Sequence, residues 1–245
     1  MREPLPTDIR ELTADIRELT AAQAEVMSDL VAGLSDAELV FPTRCAGWLA
    51  AHVLVHVRLG LAEATGSFAE PTDEPTDRDY VSYWRDWPAP AEPATFGQVR
   101  WHWANASAYD SAGMLRQHFT GTARQAAGVS RHAPADRFSL QGHVMAAEDI
   151  LAMWTVELVV HQFDLTAYLP GSRPGPLPEA LSLTARTLDG LVGAAERPGG
   201  WDDATYVLKG TGRVPLDAAD REFLGDRAAA IPAFGKPPVA ERARA

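Results

Sequence analysis

The stretch WTVELVVH at residues 154–161 belongs to the most apolar part of the chain, and the fold prediction starts from it. Glu157 and His161 are four residues apart, so on a helix both side chains leave nearly the same face. Their immediate neighbours are leucine and valine, which predicts a helix that is buried almost all round. A buried carboxylate and imidazole cost on the order of several kcal/mol unless something compensates them. A bound divalent metal would compensate both, so this pair is the best lead to function.

Hydrophobic periodicity predicts a bundle of long helices around this stretch. Residues 8–14 and 15–21 repeat the heptad DIRELTA, and two heptads are too few for a coiled coil, so a bundle helix is favoured. The apolar stripe of that helix consists of Ile9, Leu12, Ile16, Leu19, Val26 and Leu30. Helices are expected at about 7–33, 48–65, 96–127 (with a break near Gly113) and 140–168. A proline-rich crossover at 66–100 joins the second to the third, which is typical of a mainly α four-helix bundle.

The remainder of the chain predicts a small C-terminal α/β appendage. A further helix is expected at about 177–196, a short strand at 204–209 and a helix at about 217–224. The predicted domain organisation is therefore a four-helix bundle at 1–172 and an extra helix with a short α/β region at 173–245.

Composition and charge exclude several classes of function. The 245 residues are 46% hydrophobic and 22% charged, which suits a globular protein with a real core. The formal net charge of -11 makes nucleic acid an unfavourable partner. An apolar signal core and a membrane-length apolar run are both lacking, and the single Cys45 forbids an internal disulfide. These features predict a soluble cytoplasmic protein without membrane or nucleic-acid partners, either a monomer or a homodimer.

The histidines on the second predicted helix suggest how a metal site would be completed. His52 and His56 are also one helical turn apart, and metal sites in bundles form from side chains on facing helices. One of these two, together with Glu157 and His161, makes a two-histidine, one-carboxylate site. With zinc such a site keeps an open fourth position, and the same ligands form the facial triad of non-haem iron. Spacing alone leaves open both the choice of histidine and the choice of metal.

The remaining chemistry-bearing side chains have plainer interpretations. His143 lies about five turns from His161 on the same predicted helix, so we interpret it as a polar residue at the helix start. Cys45 precedes the second helix and is interpreted as a structural thiol. Surface roles are expected for His102, His118 and His132. Four tryptophans are expected either to cover the pocket or to pack in the ordinary way: Trp84, Trp87, Trp101 and Trp103.

Two segments resemble the signatures of the mycothiol-dependent maleylpyruvate isomerase family. Residues 42–48, PTRCAGW, followed eight residues later by His56, resemble its second-helix signature, and residues 157–164, ELVVHQFD, resemble its second signature. Residues 208–216 and 220–225 are similar to its C-terminal region. The resemblance covers most of the chain, and the family belongs to the DinB-like superfamily of metal-binding four-helix bundles.

The resemblance implies a ligand set and a chemistry. The family's metal ligands carry over onto His56, Glu157 and His161, and the metal is expected to be divalent, with zinc favoured. Mycothiol is expected to bind at the open metal position, where the cation holds it as the nucleophilic thiolate. Asp164 is expected either to orient a ligand or substrate hydroxyl, or to be only a polar residue near the helix end.

Three functions therefore compete. The first is a metal-dependent, thiol-using S-transferase or isomerase acting on an electrophilic small molecule. The second is a metal-dependent hydrolase or lyase with bound water as the attacking group. The third is a non-enzymatic bundle that binds a metal or small molecule.

Overall fold

A computed structural model describes residues 7–85, 96–193, 197–198 and 200–234 of the chain. Eight α-helices and one β-hairpin lie in this part. The helices are α1 (Thr7–Ala32), α2 (Ala50–Ser67), α3 (Phe96–Ser107), α4 (Ala112–Arg131), α5 (Ala147–Thr166), α6 (Pro178–Val192), α7 (Asp203–Gly210) and α8 (Ala218–Leu224). The hairpin consists of β1 (Arg137–Leu140) and β2 (His143–Ala146).

Four of these helices form the bundle, which confirms the predicted mainly α fold class. Helices α1 and α2 each pack against both α4 and α5. Fifteen of the twenty residues of α5 are buried, as the apolar stretch predicted. The predicted stripe of α1 places Ile16, Leu19 and Leu30 in the core, whereas the side chains of Ile9 and Leu12 lie outside the described residues. Within the described part of the chain, no helix has both the length and the apolarity to cross a membrane.

The crossover between α2 and α4 carries the separate helix α3, so the third predicted helix is two helices. The break lies at residues 108–111, just before the expected position at Gly113. Ser111 causes the restart, because its side chain accepts a hydrogen bond from the backbone N–H of Met114 and caps α4. Helix α3 packs against α2, and this contact brings the crossover to the bundle.

The prediction that the fourth helix begins near residue 140 is wrong, because a β-hairpin precedes α5. Strands β1 and β2 pair antiparallel, and Gln141 and Gly142 connect them with φ angles of 50° and 82°. Two consecutive positive φ angles are typical of the two-residue turns that match strand twist. His143 therefore lies on a strand, with Nδ1 3.0 Å from Asp77 Oδ2, and not at the start of the helix that carries His161.

The strand expected at residues 204–209 is also wrong, because this segment forms helix α7. Asp202 caps the helix by accepting a hydrogen bond from the backbone N–H of Thr205 at 2.8 Å. A short apolar run suits a strand or a buried helical turn equally well, and the cap decides for the helix. Helix α6 packs against α1 and α5, and α7 packs against α5 and α6. The described C-terminal region thus forms a helix where a strand was expected, and the domain boundary near residue 172 stays a prediction.

Candidate metal centre

Two neighbouring helices bring the predicted ligands together. His56 lies near the middle of α2, and Glu157 and His161 lie one turn apart on α5, which packs against α2. One nitrogen or oxygen atom from each of the three side chains lies within 4.8 Å of the other two.

Glu157 lies between the two imidazoles. Its Oε2 atom is 2.9 Å from His161 Nε2 and 3.7 Å from His56 Nε2. The two rings meet edge to face, with centroids 4.7 Å apart. Two imidazole nitrogens and one carboxylate oxygen are the protein ligands of many catalytic zinc sites and of the non-haem iron triad. The donor set therefore fits a divalent transition metal.

The three members of the cluster differ in exposure. The exposed fraction of the side chain is 9% for His161, 12% for Glu157 and 27% for His56. His56 is therefore the most accessible of the three side chains, whereas both residues on α5 are largely covered by packing.

The electrostatics of the cluster favour a positive charge between the acidic groups. Burial alone would raise the pKa of Glu157, but His161 and His56 hold the pKa of this carboxyl well below its usual range. Burial alone would lower the pKa of His161, but Glu157, Asp164 and Cys45 raise that pKa well above its ordinary value. A proton or a metal ion meets this preference, so the two compete for His161.

A second set of contacts surrounds the other edge of the His161 ring. Asp164 Oδ2 is 3.0 Å from His161 Nδ1, the contact that the predicted orienting role of Asp164 requires. The Cys45 thiol donates to the same oxygen at 3.2 Å. Arg213, from the segment between α7 and α8, donates to both carboxylate oxygens. Burial alone would raise the pKa of Asp164, but Arg213 and His161 hold it well below its usual range.

Cys45 lies close to the cluster but has the environment of an unreactive thiol. Burial and the neighbouring Asp164 carboxylate raise the pKa of the Cys45 thiol. The thiol, and not the nucleophilic thiolate, is therefore the stable form beside Asp164. This agrees with the structural role expected for Cys45, although its contact with Asp164 had no local signal in the sequence.

His52 is occupied at the beginning of α2. Its Nδ1 atom accepts a hydrogen bond from the backbone N–H of Leu49 at 2.9 Å, which satisfies a donor that the helix leaves free. Burial, with a smaller effect of His102, lowers the pKa of His52. Of the two candidates on α2, the described structure therefore brings His56, and not His52, to Glu157 and His161.

The loop before α2 is fixed against α5. Thr43 Oγ1 donates to the carbonyl of Trp48 at 2.8 Å, and Arg44 Nη1 donates to the carbonyl of Phe163 at 2.7 Å. Gly47 turns the loop with a φ of 80°, a conformation that favours glycine. These contacts hold the loop motif in place beside the α5 motif.

Aromatic rings from the loop and from α3 line the His56 side of the cluster. The centroid of the Trp48 ring is 5.3 Å from that of His56 and 4.1 Å from that of His102. His102 is half-buried, and its ring centroid is 5.4 Å from that of His56. The surface role expected for His102 missed this proximity, because only the packing of α3 on α2 creates it.

The other residues that were expected at the surface or over the pocket lie either away from the cluster or at the edge of its aromatic lining. His132 is exposed, and His118 Nδ1 is 2.9 Å from the Tyr109 hydroxyl. Trp84 is buried and stacks on Phe234, so it packs and does not roof the cluster. Trp101 and Trp103 are about half exposed, at 50% and 46%, near the aromatic lining. Trp87 lies outside the described residues.

The fold and the cluster define a helical bundle with a candidate two-histidine, one-carboxylate centre. The sequence model of the mycothiol maleylpyruvate isomerase N-terminal domain matches residues 20–166, which is more than half of the chain. The chain belongs to this family, as its two motifs predicted. The matched range includes all three members of the cluster and Asp164.

Two solved structures also resemble the chain. One is the mycothiol-dependent maleylpyruvate isomerase, with 17% identity and a TM-score of 0.46, and the other is a histidine-to-alanine mutant of that enzyme, with 15% identity and a TM-score of 0.48. Each match covers 74% of this chain and 68% of the other. Among curated proteins, none matches the chain.

Proposed function

We propose that this protein is a metal-dependent enzyme that uses a low-molecular-weight thiol, mycothiol, to attack an electrophilic small molecule. The reaction is either transfer of the thiol to the electrophile or a thiol-assisted isomerisation. The observation that carries the proposal is the convergence of His56, Glu157 and His161 in one cluster whose most exposed member is His56.

The three side chains would hold the metal through His56 Nε2, His161 Nε2 and a Glu157 oxygen. Zinc is the favoured ion for two imidazoles and one carboxylate with a position left over for a ligand. When bound, a divalent cation lowers the pKa of a thiol that coordinates it, so that the thiol is held as the thiolate at neutral pH.

The surrounding residues would orient the reactants. The rings of Trp48 and His102, tilted by 39° to one another, lie beside His56 and would offer aromatic contacts to an unsaturated electrophile. The sulfur forms a bond to the electrophilic carbon, and the thiol proton passes to solvent. Departure of a leaving group with its electron pair gives transfer, whereas later departure of the sulfur itself gives isomerisation.

Metal content measured on purified variants tests the ligand assignment. We expect one zinc per chain in the wild type and a loss of most of it in His56→Ala and Glu157→Gln. The matched control is His132→Ala, because His132 is an exposed histidine away from the cluster. Full metal occupancy in the two cluster variants would contradict the assignment.

Thiol consumption tests the activity. Mycothiol and a panel of unsaturated and halogenated electrophiles are offered to the zinc-loaded protein, and adducts and isomers are followed by mass spectrometry. We expect turnover with the wild type and with His132→Ala, and loss of at least about 100-fold with Glu157→Gln. Hydrolysis of a panel compound without thiol consumption would favour the hydrolase alternative instead.

A further inference from the structure

Arg213 reaches the candidate metal centre from outside the family-matched range. It follows α7, and its partner Asp164 on α5 is 49 residues earlier in the chain. Arg213 Nε donates to Asp164 Oδ1 at 3.2 Å, and Arg213 Nη2 donates to Oδ2 at 3.0 Å. Its remaining amino group, Nη1, donates to the carbonyl of Thr211 at 3.2 Å. Both ends of the guanidinium are therefore fixed.

Asp164 is fully buried, and its carboxylate accepts from three side chains. Besides the two bonds from Arg213, its Oδ2 atom lies 3.0 Å from His161 Nδ1 and 3.2 Å from Cys45 Sγ. A carboxylate held by a two-pronged guanidinium keeps one plane and one orientation. The direction in which Oδ2 faces His161 is thus set by Arg213.

We infer that Arg213 is a positioning residue for the metal ligand His161 and acts through Asp164. This inference rests on the proposed function. Metal-binding histidines commonly donate their second ring N–H to a carboxylate, which fixes the ring and the tautomer. With a proton held on His161 Nδ1 by Asp164, it is Nε2, on the side of Glu157 and His56, that would offer its lone pair to a metal.

The same contacts decide against a different site for the metal. Donor atoms of Cys45, His161 and Asp164 also lie within 4.8 Å of one another and form a second candidate set. The Arg213 guanidinium, however, already occupies both oxygens of Asp164 with a positive charge. A metal cation beside the guanidinium would be repelled. We therefore assign Cys45 and Asp164 to holding the His161 ring in place, and not to binding the metal.

Replacement of the guanidinium fork by a single ammonium separates geometry from charge. In Arg213→Lys the charge is kept and the two-pronged contact is lost, so we expect zinc affinity to fall by about 10- to 100-fold. Affinity is measured by competition with a chromophoric chelator. The visible spectrum of the cobalt-substituted protein at saturating cobalt reports the ligand geometry, and we expect its bands to shift. Arg213→Gln serves as a second variant.

Lys209→Met is the matched control for destabilisation. Lys209 forms a comparably buried ion pair with Asp220 in the same C-terminal region, and its other contacts are with Asp217 and the Trp201 ring. We expect it to lower the melting temperature but to leave zinc affinity and the cobalt spectrum unchanged.

The outcomes distinguish this inference from the proposed function. Wild-type affinity and an unchanged spectrum in both Arg213 variants would overturn the role of Arg213 and leave the proposed function intact. A wild-type protein that binds neither zinc nor cobalt would overturn both together.

Discussion

His161 lies between two carboxylates that contact opposite nitrogens of its ring. Glu157 is 2.9 Å from Nε2 and Asp164 is 3.0 Å from Nδ1. The two carboxylates differ in their surroundings, because the Glu157 side chain is 12% exposed whereas the Asp164 side chain is fully buried and paired with Arg213. Nε2 is thus the nitrogen that could bind a metal, whereas Nδ1 is hydrogen-bonded to Asp164.

The raised pKa of His161 predicts that zinc binding weakens as the pH falls. Because its pKa is raised, His161 favours the protonated form in the metal-free protein, and zinc then has to displace the proton from Nε2. Below the raised pKa, we expect affinity to fall about tenfold per pH unit for each proton displaced. Calorimetric titration in buffers of different ionisation enthalpy counts the released protons directly. Zinc binding that releases none between about pH 6 and 8 would contradict this account.

At the scale of helices, the sequence predicted the features that neighbouring residues encode and missed those that depend on contacts between distant residues. The apolar character of α5 and the spacing of Glu157 and His161 predicted that these two residues lie one turn apart on a buried helix, as the structure shows. The hairpin before α5 was missed because the apolar residues of β2 continue the pattern of the helix, whereas the turn is evident from the positive φ angles of Gln141 and Gly142. Arg213 was missed as a contact of Asp164, since nothing near either residue encodes a meeting across 49 positions.

The contact between α2 and α5 predicts a strong effect of Gly60→Ala. A β-carbon at Gly60 would lie 2.0 Å from the Trp154 ring, so either this ring or the two helices that carry the cluster would have to shift. We expect a loss of about 1–3 kcal/mol in the free energy of unfolding, measured by urea denaturation, together with weaker zinc binding.

Gly121→Ala on α4 provides the control for that substitution. A β-carbon at Gly121 meets nothing within 4 Å, so the gain in helix propensity of about 0.5–1 kcal/mol should dominate. A Gly60→Ala protein as stable as the wild type would show that the α2–α5 distance is less fixed than the packing indicates.

At the scale of the molecule, the C-terminal region and the bundle are joined by buried polar contacts as well as by apolar packing. Gln23 on α1 donates to Gln162 on α5 at 2.6 Å and accepts from the backbone N–H of Leu177 at 2.9 Å. The Arg213–Asp164 pair makes a second link, directly beside the cluster. The segment after α5 therefore supports the candidate centre, although the family match ends at residue 166.

The most direct measurement is anomalous diffraction at the zinc edge from a crystal of the zinc-loaded protein. The account predicts one zinc peak per chain, within about 2.0–2.2 Å of His56 Nε2, His161 Nε2 and an oxygen of Glu157. A zinc peak between Cys45 and Asp164, or zinc-loaded crystals with no peak between α2 and α5, would contradict it.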